Sequence, residues 1–343
     1  MSHNVKRLTA EKRAEKRREN EERANRYKEL SGVTMSMRAS GQFDQGALDA
    51  CSRAVRMNPD MATLWNFRRG VLKRMHPDGD DDPMGARRQA CEAELDLTQE
   101  CLGLNPKSYP VWFHRQWVIE WGRCSWQWAR ELKLTAKLLA LDDRNFHCWT
   151  YRRFVAKVAG ESADAELNFT TSKIEQNFSN YSAWHYRSKL LPAIFGTVDD
   201  AASAGAIGGE LRARLLEELQ LVRNAFFTAP EDSSAWFYHR WVLAKLDAID
   251  AAGAPPSDVR RPSPEHTAVL SDELAMIEDL LELEPESKWP LAAAVFLGKA
   301  LAVVRPGSDE RVSEHLRSLQ RVDPTRVQYY AHLLDTVTSS ALS

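Results

Sequence analysis

Residues 94–115 read ELDLTQECLGLNPKSYPVWFHR, and the same arrangement returns along the chain. Each clear copy starts with a Glu-Leu pair, and a junction residue, Pro106 in this copy, follows 12 positions after the Glu. A Trp comes six residues after most junctions. Seven copies can be aligned: clear ones begin at Glu94, Glu131, Glu166, Glu218 and Glu273, and degenerate ones have their junctions at Pro59 and Pro324. A segment that recurs in this way predicts a repeat architecture.

Each copy predicts a helical hairpin. Apolar residues lie eleven and four positions before the junction, which places both on one stripe of a helix. Asn-Pro or Asp-Pro at the junction then ends that helix, because the residue before Pro is pushed out of the α region. After the junction, Trp and an Arg three residues later share one face of a second helix. The pairs are Trp65 and Arg68, Trp112 and Arg115, Trp149 and Arg152, and Trp184 and Arg187, with His239 following Trp236.

We interpret this Trp and Arg ladder as structural. A Trp in every repeat is what stacked helical hairpins need, and the Arg would donate hydrogen bonds between hairpins. The sequence therefore predicts an all-α fold, an α-solenoid (a crescent) of about seven hairpins. The repeat domain is predicted over residues 31–337, after a charged N-terminal helix at 1–30, and polar loops are predicted at 76–85, 197–210 and 251–264. The repeats centre near Trp65, Trp112, Trp149, Trp184, Trp236, Leu291 and Tyr330.

Composition excludes several function classes. Lys and Arg number 46 against 48 Asp and Glu, and Glu residues are interleaved with the cations of the N-terminal helix, so we expect no nucleic-acid binding. The five cysteines are an odd number without a Cys-x-x-Cys pair, which predicts reduced thiols and no metal site. No apolar run reaches the roughly 18 residues of a membrane span, and the N-terminus has no apolar targeting core. We expect a cytoplasmic protein without membrane insertion.

The Trp six residues and the Arg nine residues after each junction resemble the repeat of protein prenyltransferase α subunits. The resemblance covers roughly residues 45–335. Within that family, stretches such as NPKSYPVWFHR at 105–115 and RNFHCWTYRRFVA at 144–156 are similar to the α subunits of Rab geranylgeranyltransferases. The charged N-terminal helix is similar as well. The chain resembles the short form, which lacks immunoglobulin-like and leucine-rich domains.

The resemblance implies an enzyme subunit that is inactive alone. A partner β subunit would carry the catalytic zinc and most of the lipid site, and this chain would bind no cofactor or metal. The heterodimer would transfer geranylgeranyl from geranylgeranyl diphosphate to C-terminal cysteines of Rab GTPases. A Rab escort protein would present the Rab substrate and dock on the α subunit.

The resemblance also implies which residues reach the lipid. The family places a Lys in an Asn-Pro-Lys-x-Tyr motif, which here is Lys107 followed by Tyr109. The next repeat of the family carries Asn-Tyr-His; Asn145 and His147 match it, and Phe146 replaces the Tyr. Lys107 starts a helix, where exposed N–H groups already favour an anion. Its ammonium would stabilise the charge that grows on the leaving diphosphate, which is assistance to the transition state.

Two alternatives stay open at this stage. One is the α subunit that farnesyl- and type I geranylgeranyltransferases share, but that subunit places a Gln where this chain has Pro110. Proline has no side-chain donor, so it cannot bind a C-terminal carboxylate as the Gln does. The other is a prenyltransferase-like helical scaffold without catalytic duty, against which the presence of Lys107 counts.

Overall fold

The structure, a computed structural model, describes residues 9–77, 85–195, 205–251, 261–304 and 309–340. These residues form fifteen α-helices and two short 3-10 turns, with no strand among them. The all-α fold class is therefore confirmed. The helices are α1 (Ala10–Ala39), α2 (Gln45–Met57), α3 (Ala62–Met75), α4 (Ala86–Leu104), α5 (Tyr109–Gly122), α6 (Trp128–Leu141), α7 (Phe146–Ala159), α8 (Ala163–Gln176), α9 (Tyr181–Phe195), α10 (Gly205–Thr228), α11 (Ser233–Asp250), α12 (Pro264–Leu283), α13 (Lys288–Ala302), α14 (Asp309–Val322) and α15 (Val327–Ser340).

From α2 onward, consecutive helices pack in pairs as hairpins, and α2 to α15 form seven of them in the described ranges. The chain divides into two compact units, residues 1–160 and 161–343. The first unit holds α1 and three hairpins, and the second holds four. No helix of the described residues is both long enough and apolar enough to cross a membrane.

The charged helix α1 runs without a break through position 30, where the sequence places a boundary, and ends at Ala39. Its first part is exposed from residue 9 to residue 26. Packing begins near Tyr27, whose hydroxyl lies 2.8 Å from Met61 Sδ. The last turns of α1 then pack against α2. The N-terminal half of α1 thus adds charge and no core.

The junctions end the first helices as predicted, and the Trp spacing has a direct cause. Asn58, Asn105, Asp142 and Asn177 each leave the helix in an extended conformation. Each repeat Trp is buried and donates its indole N–H to the carbonyl of its own junction residue, six positions earlier, at 2.8 to 2.9 Å. The bonded pairs are Trp65 with Pro59, Trp112 with Pro106, Trp149 with Asp143, Trp184 with Phe178 and Trp236 with Pro230.

The repeat Arg joins three helices. Arg115 on α5 donates Nε and Nη2 to the two oxygens of Glu131 on α6, at 2.7 and 2.6 Å. Its Nη1 donates to the carbonyl of Leu95, at 2.7 Å, and to Thr98 Oγ1, at 2.8 Å, both on α4. Arg115 and Glu131 have no solvent exposure. A paired, bidentate contact is the arrangement in which burying two charges is tolerated.

The same contact recurs in both units. Arg68 binds Glu94 at 2.6 and 2.5 Å in the first unit, and Arg187 binds Glu218 in the second. Each of these carboxylates also forms a hydrogen bond with a side chain of its own hairpin, which lies two residues after the repeat Trp. His114 bonds Glu94, Tyr151 bonds Glu131 and Tyr238 bonds Glu218. In the fifth repeat, His239 and Arg223 share Glu273.

The charge state of Glu94 follows from this pairing. Burial opposes ionisation of Glu94, but the charge of the adjacent Arg68 and the hydrogen bonds from His114 and Arg68 together outweigh it and lower the pKa of Glu94 to about 2. The structural interpretation of the Trp and Arg ladder is confirmed. The sequence did not identify the Glu of the Glu-Leu pair as its acceptor.

We predict that Arg115→Met destabilises the fold by about 3–5 kcal/mol, because Glu131 would be left buried without its counter-charge. Arg130→Met is the matched control, since Arg130 bonds the exposed Asp96 at 2.6 Å and exposed pairs contribute about 1 kcal/mol or less. Urea unfolding of both variants measures the difference. Equal destabilisation by the two changes would contradict the role given to the buried pair.

Gly122 is the last residue of α5, and the thiols of Cys91 and Cys124 pack directly against it. A Cβ at this position would lie 2.2 Å from Cys91 Sγ and 2.7 Å from Cys124 Sγ. Both thiols are fully buried, and all five cysteines of the chain are free. Glycine is therefore required here by space.

We predict that Gly122→Ala lowers stability by about 1–3 kcal/mol, because the added methyl group overpacks the two thiols. Gly103→Ala serves as the control. Gly103 lies in α4 with nothing within 4 Å of an added Cβ, so this change should be neutral or stabilise by up to about 1 kcal/mol. Thermal unfolding would contradict the assignment if Gly122→Ala melted at or above the wild-type temperature.

The predicted loop at 197–210 is wrong in its second part. Residues 205–210 belong to α10, which begins at Gly205. Buried Leu211 and Leu215, four residues apart, extend the apolar stripe of α10 toward this end and offset the cost of roughly 1 kcal/mol for each helical glycine. The rest of that loop, and most of the predicted loops at 76–85 and 251–264, lie outside the described residues.

Candidate functional site

The predicted site residues lie in the two junction loops of the second and third hairpins. The first loop, residues 105–108, connects α4 to α5, and the second, residues 142–145, connects α6 to α7. Lys107 and Tyr109 belong to the first loop and the helix start after it. Asn145 and His147 occupy the equivalent stretch of the next repeat.

Lys107 is exposed but anchored. Its side chain is 67% exposed, and its Nζ lies 3.1 Å from Asp142 Oδ2. The Lys107 backbone N–H donates to Asn105 Oδ1 at 3.1 Å, which closes a local turn. Asp142 accepts the Arg144 backbone N–H on its other oxygen at 3.2 Å. The ammonium is therefore available to an anion from solvent while a fixed carboxylate holds it.

The contact between Lys107 and Asp142 has a counterpart one repeat earlier, where a hydrogen bond takes the place of the ion pair. Asn105 Nδ2 donates to the two oxygens of Asp60 at 3.1 and 3.0 Å. Asp60 and Lys107 each follow their junction residue directly, and Asn105 and Asp142 each precede theirs. Contacts between neighbouring loops thus place successive loops along one edge of the first unit.

Asn145 belongs to this loop ladder. Its side chain is 2% exposed, its Oδ1 accepts the Cys148 N–H at 3.2 Å, and its Nδ2 donates to the Pro106 carbonyl at 2.9 Å. Ser108, at the same repeat position, donates to the Pro59 carbonyl at 3.1 Å. The Asn145 amide therefore points into the protein interior. It caps the start of α7 and ties it to the loop that contains Lys107.

Exposed aromatic rings lie on the two helix starts that follow the loops of Lys107 and Asp142. Tyr109 and Phe146 are each 64% exposed, and Phe113 is about half exposed. The Tyr109 ring centre lies 6.0 Å from that of His147 and 6.2 Å from that of Phe113. Partial burial lowers the pKa of His147, which favours the neutral imidazole, and a neutral imidazole donates a hydrogen bond from one nitrogen and accepts one at the other. The structure thus brings Lys107, Tyr109 and His147 together.

Sequence reasoning missed Asp142 and the apolar character of this edge. Leu104 and Leu141, each two residues before a junction, are 64% and 79% exposed. We call Leu104, Tyr109, Phe113, Leu141 and Phe146 the apolar edge. Tyr109 and Phe113 stack with ring centres 6.2 Å apart, and exposed apolar side chains that form a patch mark a protein or ligand contact. The signal in the sequence was the presence of apolar or aromatic residues at three repeat positions outside the core stripe, two before, three after and seven after the junction.

Two further features bear on chemistry. Pro110, the second residue of α5, presents no side-chain hydrogen-bond donor beside the site. Among the described residues, no group of three or more His, Cys, Asp or Glu side chains could hold a metal ion.

Comparison with known proteins gives the same architecture. The model of the protein prenyltransferase alpha subunit repeat matches five segments, residues 44–75, 91–122, 128–158, 163–194 and 215–246. A solved structure, "Candida albicans protein geranylgeranyltransferase-I complexed with GGPP", shares the fold with a TM-score of 0.66 over 91% of each chain, at 19% identity.

Curated relatives are more similar in sequence. "Geranylgeranyl transferase type-2 subunit alpha" of Sus scrofa is 46% identical over 71% of this chain, and that of Homo sapiens is 45% identical over the same share. The chain spans 42% of the length of each of these two relatives. The Dictyostelium discoideum protein of the same name is 35% identical over 95% of this chain and 96% of its own length. The chain therefore belongs to the family of geranylgeranyl transferase type-2 α subunits, which is built on the prenyltransferase α-subunit repeat.

Proposed function

We propose that the chain is the α subunit of a heterodimeric Rab geranylgeranyltransferase. The enzyme would transfer a geranylgeranyl group from geranylgeranyl diphosphate to C-terminal cysteines of Rab GTPases in the cytoplasm. The observation that carries the proposal is the exposed Lys107 ammonium, which Asp142 of the next hairpin holds between loops that also carry residues of the apolar edge. Family membership supports it.

The proposed task of the chain is to bind and stabilise charge. The reaction forms a bond between the cysteine sulfur and C1 of the lipid while the bond from C1 to the diphosphate oxygen breaks. Negative charge grows on the diphosphate as it leaves, and a positioned ammonium stabilises that charge more than it stabilises the intact lipid. Lys107 supplies the ammonium, and the Tyr109 hydroxyl and His147 imidazole supply hydrogen bonds beside it.

The rest of the chemistry is assigned to a β subunit. Zinc bound there would lower the pKa of the Rab cysteine thiol. We expect the β subunit to cover the apolar edge, because burying exposed apolar side chains against a partner removes them from water and stabilises the complex.

The alternative functions differ in testable ways. The α subunit shared by farnesyl- and type I enzymes would act on tails that end in a free carboxylate, for which Pro110 offers no donor. A non-catalytic scaffold would have no use for an exposed ammonium that a carboxylate of the next hairpin holds in place. We further propose that a Rab escort protein brings the Rab to the heterodimer.

Co-expression with candidate β subunits, followed by an escort-dependent prenylation assay, tests the proposal. We expect a stable heterodimer that contains zinc and prenylates Rab only when the escort protein is present. Efficient modification of a short peptide ending in a CaaX sequence would support the first alternative instead. A chain that forms no such heterodimer with any β subunit would contradict the enzyme proposal.

We predict that Lys107→Ala lowers kcat about 10- to 150-fold, because one charge-assisted contact to the developing diphosphate charge is worth about 1.5–3 kcal/mol. Assembly and stability should be unchanged, since the side chain is exposed. Single-turnover prenylation at saturating lipid measures the effect. Lys133→Ala, which removes an exposed lysine of α6, is the control. Equal rates for the two variants would remove Lys107 from the site.

A further inference from the structure

Two of the five buried cysteines lie side by side in the second hairpin, and the proposed function uses neither. Cys91 is on α4, and Cys124 follows α5 after Arg123. A Cβ at Gly122 would lie within 2.7 Å of both sulfurs, so the two sulfurs are neighbours around one point of the core. We call Cys91 and Cys124 the thiol pair.

The other three cysteines have a different environment. Cys51, Cys101 and Cys148 each direct the thiol at a backbone carbonyl, at 3.3 to 3.8 Å. Burial raises the pKa of Cys51 to about 11 and the pKa values of Cys101 and Cys148 to about 12. Thiols with such pKa values stay protonated and inert at neutral pH. These three cysteines are therefore internal controls for the thiol pair.

The two members of the thiol pair differ in acidity. A hydrogen bond from Cys91 lowers the pKa of Cys124, and the same contact, together with burial, raises the pKa of Cys91. Cys124 is the one cysteine of the chain whose pKa is lowered. Because the thiolate is the form that attacks an oxidant, Cys124 is the nucleophile of the pair and Cys91 is the thiol that follows it.

Cys124 lies directly beneath the surface. Its side chain is buried, but its neighbours in the chain, Arg123 and Ser125, are both exposed. Arg123 has a φ of 48°, the single positive φ at a residue other than glycine in the described ranges. That left-handed conformation is unfavourable for a residue with a Cβ, so the loop between α5 and α6 is a place where local opening costs little. Such an opening exposes Cys124 to a molecule as small as hydrogen peroxide.

We infer that the thiol pair is a redox site, at which hydrogen peroxide joins Cys91 and Cys124 in a reversible disulfide. The Cys124 thiolate attacks one peroxide oxygen, the O–O bond breaks, and hydroxide leaves, which produces a sulfenic acid. The Cys91 sulfur then loses its proton and displaces the sulfenic hydroxyl. The two thiols lose two electrons and two protons, and the peroxide becomes two waters.

The disulfide closes the second hairpin covalently. It joins α4 to the residues after α5, at the end of α5 opposite the loop that contains Lys107. A cross-link between positions 33 residues apart restricts the unfolded chain more than the folded one, and the folded chain gains stability. Oxidation thus strengthens the hairpin without changing the residues of the candidate site.

Mild oxidation of the folded full-length chain tests the inference. The chain is treated with hydrogen peroxide, remaining thiols are alkylated, and the digested peptides are identified by mass spectrometry. Circular dichroism before and after treatment shows that the chain stays folded. Cys51→Ser is the matched control, because it removes a fully buried thiol outside the thiol pair. Cys91→Ser removes the second thiol of the pair and retains a hydrogen-bond donor beside Cys124.

We expect peptides linked through Cys91 and Cys124 in the wild type and in Cys51→Ser, with Cys101 and Cys148 left as thiols. Dithiothreitol should remove the link. In Cys91→Ser, dimedone, which labels sulfenic acids, should label Cys124 instead. The linked wild-type chain should melt a few degrees above the reduced chain.

Three outcomes would overturn the inference. One is a folded chain whose thiol pair stays reduced at peroxide concentrations that oxidise free cysteine. Another is oxidation of all five cysteines at equal rates, which would remove the distinction between the thiol pair and the controls. The third is a linked chain that melts below the reduced chain, because this would show that the link forms in an unfolded state.

Discussion

A buried guanidinium bound to a buried carboxylate joins neighbouring hairpins within each compact unit. Arg115 and Glu131 show the arrangement most completely, because the Arg also bonds the carbonyl of Leu95 in its own hairpin. Neither charge could remain in the interior without the other, since an unpaired buried charge costs several kcal/mol. The pair therefore fixes the distance and angle at which α4, α5 and α6 meet, and the Trp side chains fill the space that remains.

The candidate site depends on that fixed stacking. Lys107 and Asp142 belong to different hairpins, and they meet only because the loops of those hairpins are held side by side. Asn145 adds a direct bond between the same loops through the Pro106 carbonyl. The exposed ammonium consequently sits on a rigid support although it lies in a loop. Such preorganisation is what makes one cation effective against a charge that develops only in the transition state.

The sequence predicted the features that repeat and missed those that depend on three-dimensional neighbours. Junction residues, the apolar stripe and the buried Trp follow from helical periodicity, and all are confirmed. The acceptor role of Glu131 was missed because a Glu at the start of a helix looks like an ordinary solvated residue until the next hairpin covers it. Asp142 was missed for the same reason, since its partner lies 35 positions away.

Asn145 illustrates a different limit. A family motif aligned it with lipid-contacting residues, whereas its buried amide bonds the preceding loop. Motif spacing alone does not say whether a polar side chain points outward or into the chain. The helix start at Gly205 was missed because glycine and alanine together suggest a loop, although a buried leucine stripe follows them.

The central claim is that the loops around Lys107 and Asp142 meet the diphosphate of a prenyl donor bound in a heterodimer. Its most direct test is photo-crosslinking with a geranylgeranyl diphosphate analogue that carries the photoreactive group on its diphosphate. The reconstituted heterodimer is irradiated, and labelled peptides are identified by mass spectrometry. We predict label on this chain within residues 105–109 or 142–147. Label confined to the β subunit, or to other segments of this chain, would contradict the account.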